Sequence, residues 1–212
     1  MERKFFFSMV GAITLMFACQ PPVTFNKPQP ADVNSLGSFP KRIQGKYLCT
    51  ADRSVLQIND NTMIRIYDYD AKVHISQPDS NLQLIGDTLF DLRINKGTLA
   101  IIEGDSVLQH FHETDTLFRI DELNVLKKYK GYYFVNIFTL PNTWQVKELE
   151  FRRGTLSLAS INKKEDIDQL KEINESPQDT VPYVFSPTKK QFRSFMRNEG
   201  FRERETFEKI GE

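Results

Sequence analysis

The sequence predicts a β-rich α+β fold: an antiparallel meander of about eight strands forming a barrel or sandwich, with two helices near the C-terminus. Three observations predict it. Between residues 45 and 161, short runs alternate apolar and polar residues with period 2. Clusters of Asn, Asp and Gly punctuate those runs. Beyond residue 161 the apolar spacing becomes helical. The chain has 212 residues, 28 basic and 28 acidic side chains, and is 40% hydrophobic. That balance excludes a disordered chain and a multi-span membrane protein. Formal neutrality argues against a nucleic-acid partner, which favours a basic domain.

The N-terminus carries an address. Arg3 and Lys4 precede a 14-residue apolar run from Phe5 to Ala18. A bilayer span needs about 20 apolar residues, so the run suits the core of a secretory signal. Pro21 and Pro22 follow and cannot continue a helix. Leu15-Met16-Phe17-Ala18-Cys19 resembles the lipobox of bacterial lipoprotein signal peptides. Ala18 and Cys19 match it; Met16 and Phe17 are bulkier than usual, as in the looser lipoboxes of Bacteroidota. The resemblance implies that residues 1–18 are a signal peptide and that Cys19 becomes an N-terminus bearing palmitate-type acyl chains. Stable anchoring takes more than one such chain. Gln20, in place of Asp, implies sorting to the outer membrane of the bacterial cell envelope. The lack of acids up to Lys27 implies a periplasm-facing position.

Residues 19–44 read as a lipidated, proline-rich tether that holds the domain off the membrane. Pro21, Pro22, Pro28, Pro30 and Pro40 fall here, with no period of 2 or 3.6. Residues 45–212 then form one domain, with a meander over 45–161 and an α/β part over 162–212.

In the meander, Ile64 and Ile66 oppose Arg65 and Tyr67. Val73 and Ile75 alternate with Lys72, His74 and Ser76, and Phe90, Leu92 and Ile94 with Asp91 and Arg93. Turns are expected at Asn59-Asp60-Asn61, Asn95-Lys96-Gly97, Glu103-Gly104-Asp105 and Arg152-Arg153-Gly154. A faint repeat runs through this region. Asp87-Thr88-Leu89-Phe90 recurs at Asp115-Thr116-Leu117-Phe118, Gly97-Thr98-Leu99 at Gly154-Thr155-Leu156, and Gly45-x-Tyr47 at Gly131-x-Tyr133. It suggests a repeated hairpin, or chance similarity between hairpins.

In the C-terminal part, Asn162 and Glu165 suggest a capping box for a helix ending by Pro177, with Ile167, Leu170 and Ile173 on one face. Val181 to Phe185 reads as an edge strand, because Pro182 lacks an N–H. Ser186 and Pro187 suggest the start of a second helix and Gly200 its end. Phe192, Phe195 and Met196 form its apolar face, and Thr206 to Ile210 a last strand.

Several constellations have chemical potential. His110-Phe111-His112 on a strand puts both rings on one face. With His74 from a neighbouring strand they would make a three-His zinc site, an arrangement similar to the zinc site of carbonic anhydrases. The plain alternative is a solvent-facing edge, which we favour, so no metal or other cofactor is expected. Asp68-Tyr69-Asp70 places two carboxylates on one strand face ahead of a turn at Ala71, suited to acid–base work or to a solvated strand end. Lys189, Arg193 and Arg197, beside Lys190, form a basic stripe that would face solvent or anionic headgroups. Tyr132, Phe134 and Phe138 share one strand face, opposite Tyr133, Val135 and Ile137, as core or as the lining of a ligand cavity. Trp144 opens the next strand. Cys49 has no partner if Cys19 is lipidated and reads as a buried, inert thiol in the strand Tyr47-Leu48-Cys49.

No nucleophile elbow, phosphate loop or Cys/His zinc pattern is present. The sequence therefore predicts a membrane-anchored periplasmic lipoprotein that binds an apolar ligand or an envelope protein. The alternatives are a zinc-dependent or other hydrolase using His74, His110 and His112, and a structural subunit of an envelope complex.

Overall fold

A computed structural model describes residues 21–74, 81–93, 95–174 and 180–211. The expected signal peptide, Cys19, Ile75, Ser76, Ile94 and Pro177 lie outside them. In chain order the strands are β1 (Val23–Phe25), β2 (Ser35–Leu36), β3 (Gly45–Cys49), β4 (Val55–Ile58), β5 (Thr62–His74), β6 (Leu82–Ile85), β7 (Thr88–Asp91) and β8 (Lys96–Glu103). There follow β9 (Ser106–Arg119), β10 (Val125–Tyr129), β11 (Tyr132–Thr139), β12 (Thr143–Arg152), β13 (Thr155–Ser160), helix α1 (Lys164–Ile173), β14 (Tyr183–Phe185), helix α2 (Lys189–Arg197) and β15 (Glu203–Ile210). The fold is β-rich α+β, with mostly antiparallel, curled half-barrel sheets and two helices. Among the described residues, eleven strands (β3–β13) replace the eight expected of the meander, β1 and β2 form in the stretch read as a tether, and β14 and β15 are the two further strands expected. The excess is largely very short strands, whose two to four residues are too few to show a period.

The chain forms two compact units, not one domain beginning at residue 45. The first comprises the chain up to residue 37 with 120–151 and 157–205; the second comprises 38–119, 152–156 and residues from 206 on.

In the first unit the strand order is β2-β10-β11-β12-β13. β10 and β11 are joined by Lys130 and Gly131, both at positive φ (52° and 94°), so Tyr129 faces Tyr132 across a two-residue turn. β1 lies antiparallel to β12 and parallel to β14, with Val23 opposite Tyr183. β11 is apolar on both faces and buried on both, as a covered central strand requires: Phe134 and its opposite-facing neighbours Tyr133 and Val135 are inaccessible. Phe134 meets Phe192 of α2 edge-on at 5.3 Å, and Phe25, Phe185, Phe195 and Phe201 complete an aromatic core.

The proline-rich segment is no tether; residues 21–44 are built into the folded units. Val23, Phe25, Gln29, Phe39 and Ile43 are buried. Prolines leave carbonyls without a regular ladder, and side chains from distant strands satisfy them. The buried Lys127 ammonium donates to the carbonyls of Pro28 and Pro30 at 2.8 and 2.9 Å. Asn136 accepts from the Gln29 N–H at 2.5 Å and donates to the Gln29 carbonyl at 2.9 Å. These partners lie about a hundred residues away in sequence, out of reach of any local pattern.

Both helices start later than expected. α1 is preceded by Lys163, with no side-chain cap, while Asn162 donates to Glu203 instead. α2 is capped by Thr188, whose hydroxyl accepts from the Gln191 N–H in a full capping box. At its end Glu199, not Gly200, takes the left-handed conformation (φ 61°). Gly200 serves close packing: an added Cβ would stand 2.5–2.7 Å from ring atoms of Phe195.

In the second unit the order is β3-β4-β5-β9-β8-β7-β6, with residues 207–210 of β15 paired to β3. Tyr47, Cys49, Leu56, Ile58, Met63, Phe118 and Phe207 are buried. The chain is not a simple meander here, because β6, β7 and β8 intervene before β9 returns to pair with β5. That pairing runs unbroken, apart from a bulge at Met63/Ile64, from Thr62↔Arg119 to His74↔Ser106. There is no turn at Ala71.

The repeat does not correspond to a repeated structural unit. Gly45 opens β3 and Gly131 precedes β11, each strand carries a buried Tyr, and both glycines have positive φ. Gly154, however, is a turn residue at φ 84°, whereas Gly97 lies within β8. Asp87 precedes β7, whereas Asp115 sits in mid-β9.

Candidate functional site

The register of β5 to β9 assembles one continuous face from residues scattered over forty positions. Residues directly opposite in an antiparallel pair, and residues two apart on a strand, share a face. Ile85 faces Thr88, and Thr88 faces Leu99. Ile101 follows two positions later and faces Leu108. His110 and His112 continue that side of β9, opposite Asp70 and Asp68 of β5. One half of this face is apolar and exposed: Ile85 is 56%, Leu99 71% and Ile101 59% accessible. The other half is a ladder of acids and imidazoles.

The reverse face is different. Leu89, Ala100 and Val107 form a small buried cluster flanked by Leu82 and Leu84. Tyr69 stacks on Phe111 with ring centres 5.2 Å apart. The reverse face thus supplies a small core, although Ile102 and Tyr69 on that face remain 51% and 49% exposed, while the outer face leaves Ile85, Leu99 and Ile101 in solvent.

In the ladder, His110 bridges two carboxylates. Its Nδ1 lies 2.9 Å from Asp70 and its Nε2 3.2 Å from Asp68. His112 Nδ1 lies 3.4 Å from the other oxygen of Asp68. The hydrogen bond to Asp70, aided by the charges of Asp68 and Asp70 and opposed by partial desolvation, raises the His110 pKa above the ordinary histidine value. His74 does not join this group. It lies four positions beyond Asp70 on β5, about 13 Å along the strand. It pairs instead with Asp105 at 2.7 Å. The three histidines that a zinc site would have to bring together are thus divided between two places, and among the described residues no group of three or more His, Cys, Asp or Glu side chains is arranged to hold a metal ion.

Phe134 is packed into the aromatic core, Tyr132 is half-buried at its margin, and Phe138 meets Trp144 edge-on at 5.5 Å. Trp144 donates its indole N–H to the Leu123 carbonyl at 2.8 Å. Of the basic stripe, Arg193 and Arg197 are exposed, while Lys189 is half-buried and donates to the Asp32 carbonyl at 3.3 Å.

Among the buried ionic groups of the scaffold, two have shifted carboxylates. In the second unit Arg65 donates to Ser54 at 2.8 Å, pairs with Asp52 at 2.9 Å and lies 3.6 Å from the buried Cys49 sulfur. Burial opposes ionisation of Asp52, but hydrogen bonds from Ser54 and Cys49 and the charge of Arg65 outweigh it, holding its pKa at about 2. In the first unit Glu148 is buried 3.0 Å from Arg204, which also reaches Glu150 at 3.2 Å. Burial, only partly offset by Arg204, pushes the Glu148 pKa up to about 7.

The sequence offered one overlooked signal for the outer face. Leu99-Ala100-Ile101-Ile102 is apolar at consecutive positions, a pattern that requires cover on both faces of a strand. Here Ala100 is covered, while Leu99 and Ile101 on the outer face and Ile102 on the reverse face are more than half exposed. No family model, curated protein or solved structure matches the chain.

Proposed function

We propose that this protein is a lipid-anchored, periplasm-facing envelope protein that binds another envelope protein through the outer face of β6–β9. The anchor rests on the resemblance of Leu15–Cys19 to a lipobox. The observation that carries the binding role is the exposure of Ile85, Leu99 and Ile101 on one face, with Thr88 between Ile85 and Leu99, of a sheet whose other face already supplies a small core. Contiguous exposed apolar residues beside polar groups are the usual signature of a protein-contact surface. An apolar-ligand carrier needs an apolar cavity, and the side chains best suited to line one are occupied with each other around Phe134.

The test is a photo-reactive side chain at position 99 in the source bacterium. The expected result is one dominant cross-linked polypeptide, lost when Ile85 and Ile101 are both changed to Asp. Cross-linking to lipid alone would reject the reading. The anchor is checked separately: Cys19→Ser should release the protein from the membrane fraction and remove the acyl mass.

A further inference from the structure

The structure leaves only a short stretch of chain between Cys19 and the first strand. β1 begins at Val23, so only Gln20, Pro21 and Pro22 intervene. Four residue steps span at most about 14 Å. The carbonyl of Pro22 accepts from the Tyr183 N–H at 2.9 Å, and Val23 pairs with Tyr183. The start of β1 is thus fixed beside the start of β14, and whatever holds Cys19 must lie within that reach of Val23, next to Tyr183.

We propose that this end of the first unit rests on the phospholipid headgroup layer of the bilayer that holds the Cys19 lipid; the inference rests on the anchor reading above. The occupant follows from the length of chain preceding the fold and the place where it enters. The side chains suit a headgroup layer. Val181 is 57% exposed and Pro182 and Tyr183 are half-buried. Lys171, exposed on α1, places its ammonium 3.8 Å from the centre of the Tyr183 ring. A tyrosine ring with a lysine beside it matches the water–lipid boundary, where the ring is amphipathic and the ammonium meets phosphate. Glu172 is exposed next to Lys171, so the fit comes from reach and apolar exposure, not from net charge. The opposite end of β1 points away: Phe25 pairs with Trp144, and the exposed Leu140 lies beyond it on the β11–β12 turn. Val181 and Leu140 are separated by roughly 20 Å along the strand direction.

The experiment uses the full acylated protein in phosphatidylcholine vesicles that carry a nitroxide on the headgroup. Val181→Cys and Leu140→Cys are labelled one at a time with a small fluorophore; the native Cys49 thiol is buried and does not compete. Quenching at position 181 should exceed that at 140 about threefold or more, since the headgroup layer is only several ångströms deep. Thr180→Cys, also exposed, should repeat the result at 181. Inserting about ten Gly/Ser residues between Gln20 and Pro21 should abolish the difference while the protein still floats with vesicles, because a flexible chain of that length reaches well beyond the headgroups. Equal quenching, or more at 140, in protein that floats and carries acyl mass would overturn the docking proposal and leave the anchor standing. Protein that neither floats nor carries acyl mass would overturn the anchor reading, and the docking with it.

Discussion

The core of the first unit and the sheet of β6–β9 put apolar side chains to opposite uses. The first gathers eleven buried residues, six of them in ring-to-ring contact with another (Phe25, Phe134, Phe185, Phe192, Phe195 and Phe201), beneath two helices. The second buries three and leaves Ile85, Leu99, Ile101 and Ile102 more than half exposed. Burying a large apolar side chain stabilises a fold by about 1.5–3 kcal/mol, so exposed ones forgo that gain. One region spends its apolar residues on stability and the other holds them available for contact.

Substitutions should separate the two uses. The largest expected effect is Phe192→Ala, which removes a ring touched by Phe25, Phe134, Phe195 and Phe201 and should cost about 3–5 kcal/mol in urea unfolding. Leu99→Ala should stay within about 0.5 kcal/mol of the native protein. Similar losses from both would break the comparison. Gly200→Ala comes next, at about 1–3 kcal/mol, because the added methyl meets the Phe195 ring.

Glu148 sharpens the comparison by pH. Its pKa rises from 4.5 to about 7 on folding, so the folded state holds the proton that the unfolded state releases. Its contribution to stability is intact below pH 4.5 and falls as pH rises to about 7, by about 3 kcal/mol at about 1.4 kcal/mol per pKa unit. Glu148→Gln should flatten that slope in urea melts recorded between pH 4 and 8. A slope unchanged by the substitution would remove Glu148 as its source. The smallest effect belongs to the exposed ladder. In NMR titration His110 should protonate at higher pH than an ordinary histidine, and Asp70→Asn should lower its midpoint.

The β-rich class, the two helices and most hairpin turns were legible because they depend on local rules. Asn95, Gly104, Arg153 and Gly154 do adopt the positive φ that their turns need. The burial of residues 21–44 was not legible, since Lys127 and Asn136 hold that segment from β10 and β11. Nor was the division into two units, because residues far apart in sequence alternate between them. The helix starts failed for a nearer reason: Asn162 and Ser186 fit the capping pattern, but their side chains are engaged elsewhere, with Glu203 and Asn26. The outer face was half legible. The same-face placement of His110 and His112 follows from alternation, but their partners Asp68 and Asp70, and the distance of His74, depend on a register forty residues long.

The central claim is that the protein works through an exposed face and not through an interior cavity. Native mass spectrometry of the protein, extracted in mild detergent from membranes of its own source, tests it most directly. The account predicts a complex with a second polypeptide that disappears in the Ile85→Asp, Ile101→Asp double variant. A single chain, alone or carrying a non-covalent lipid-sized ligand, would contradict it.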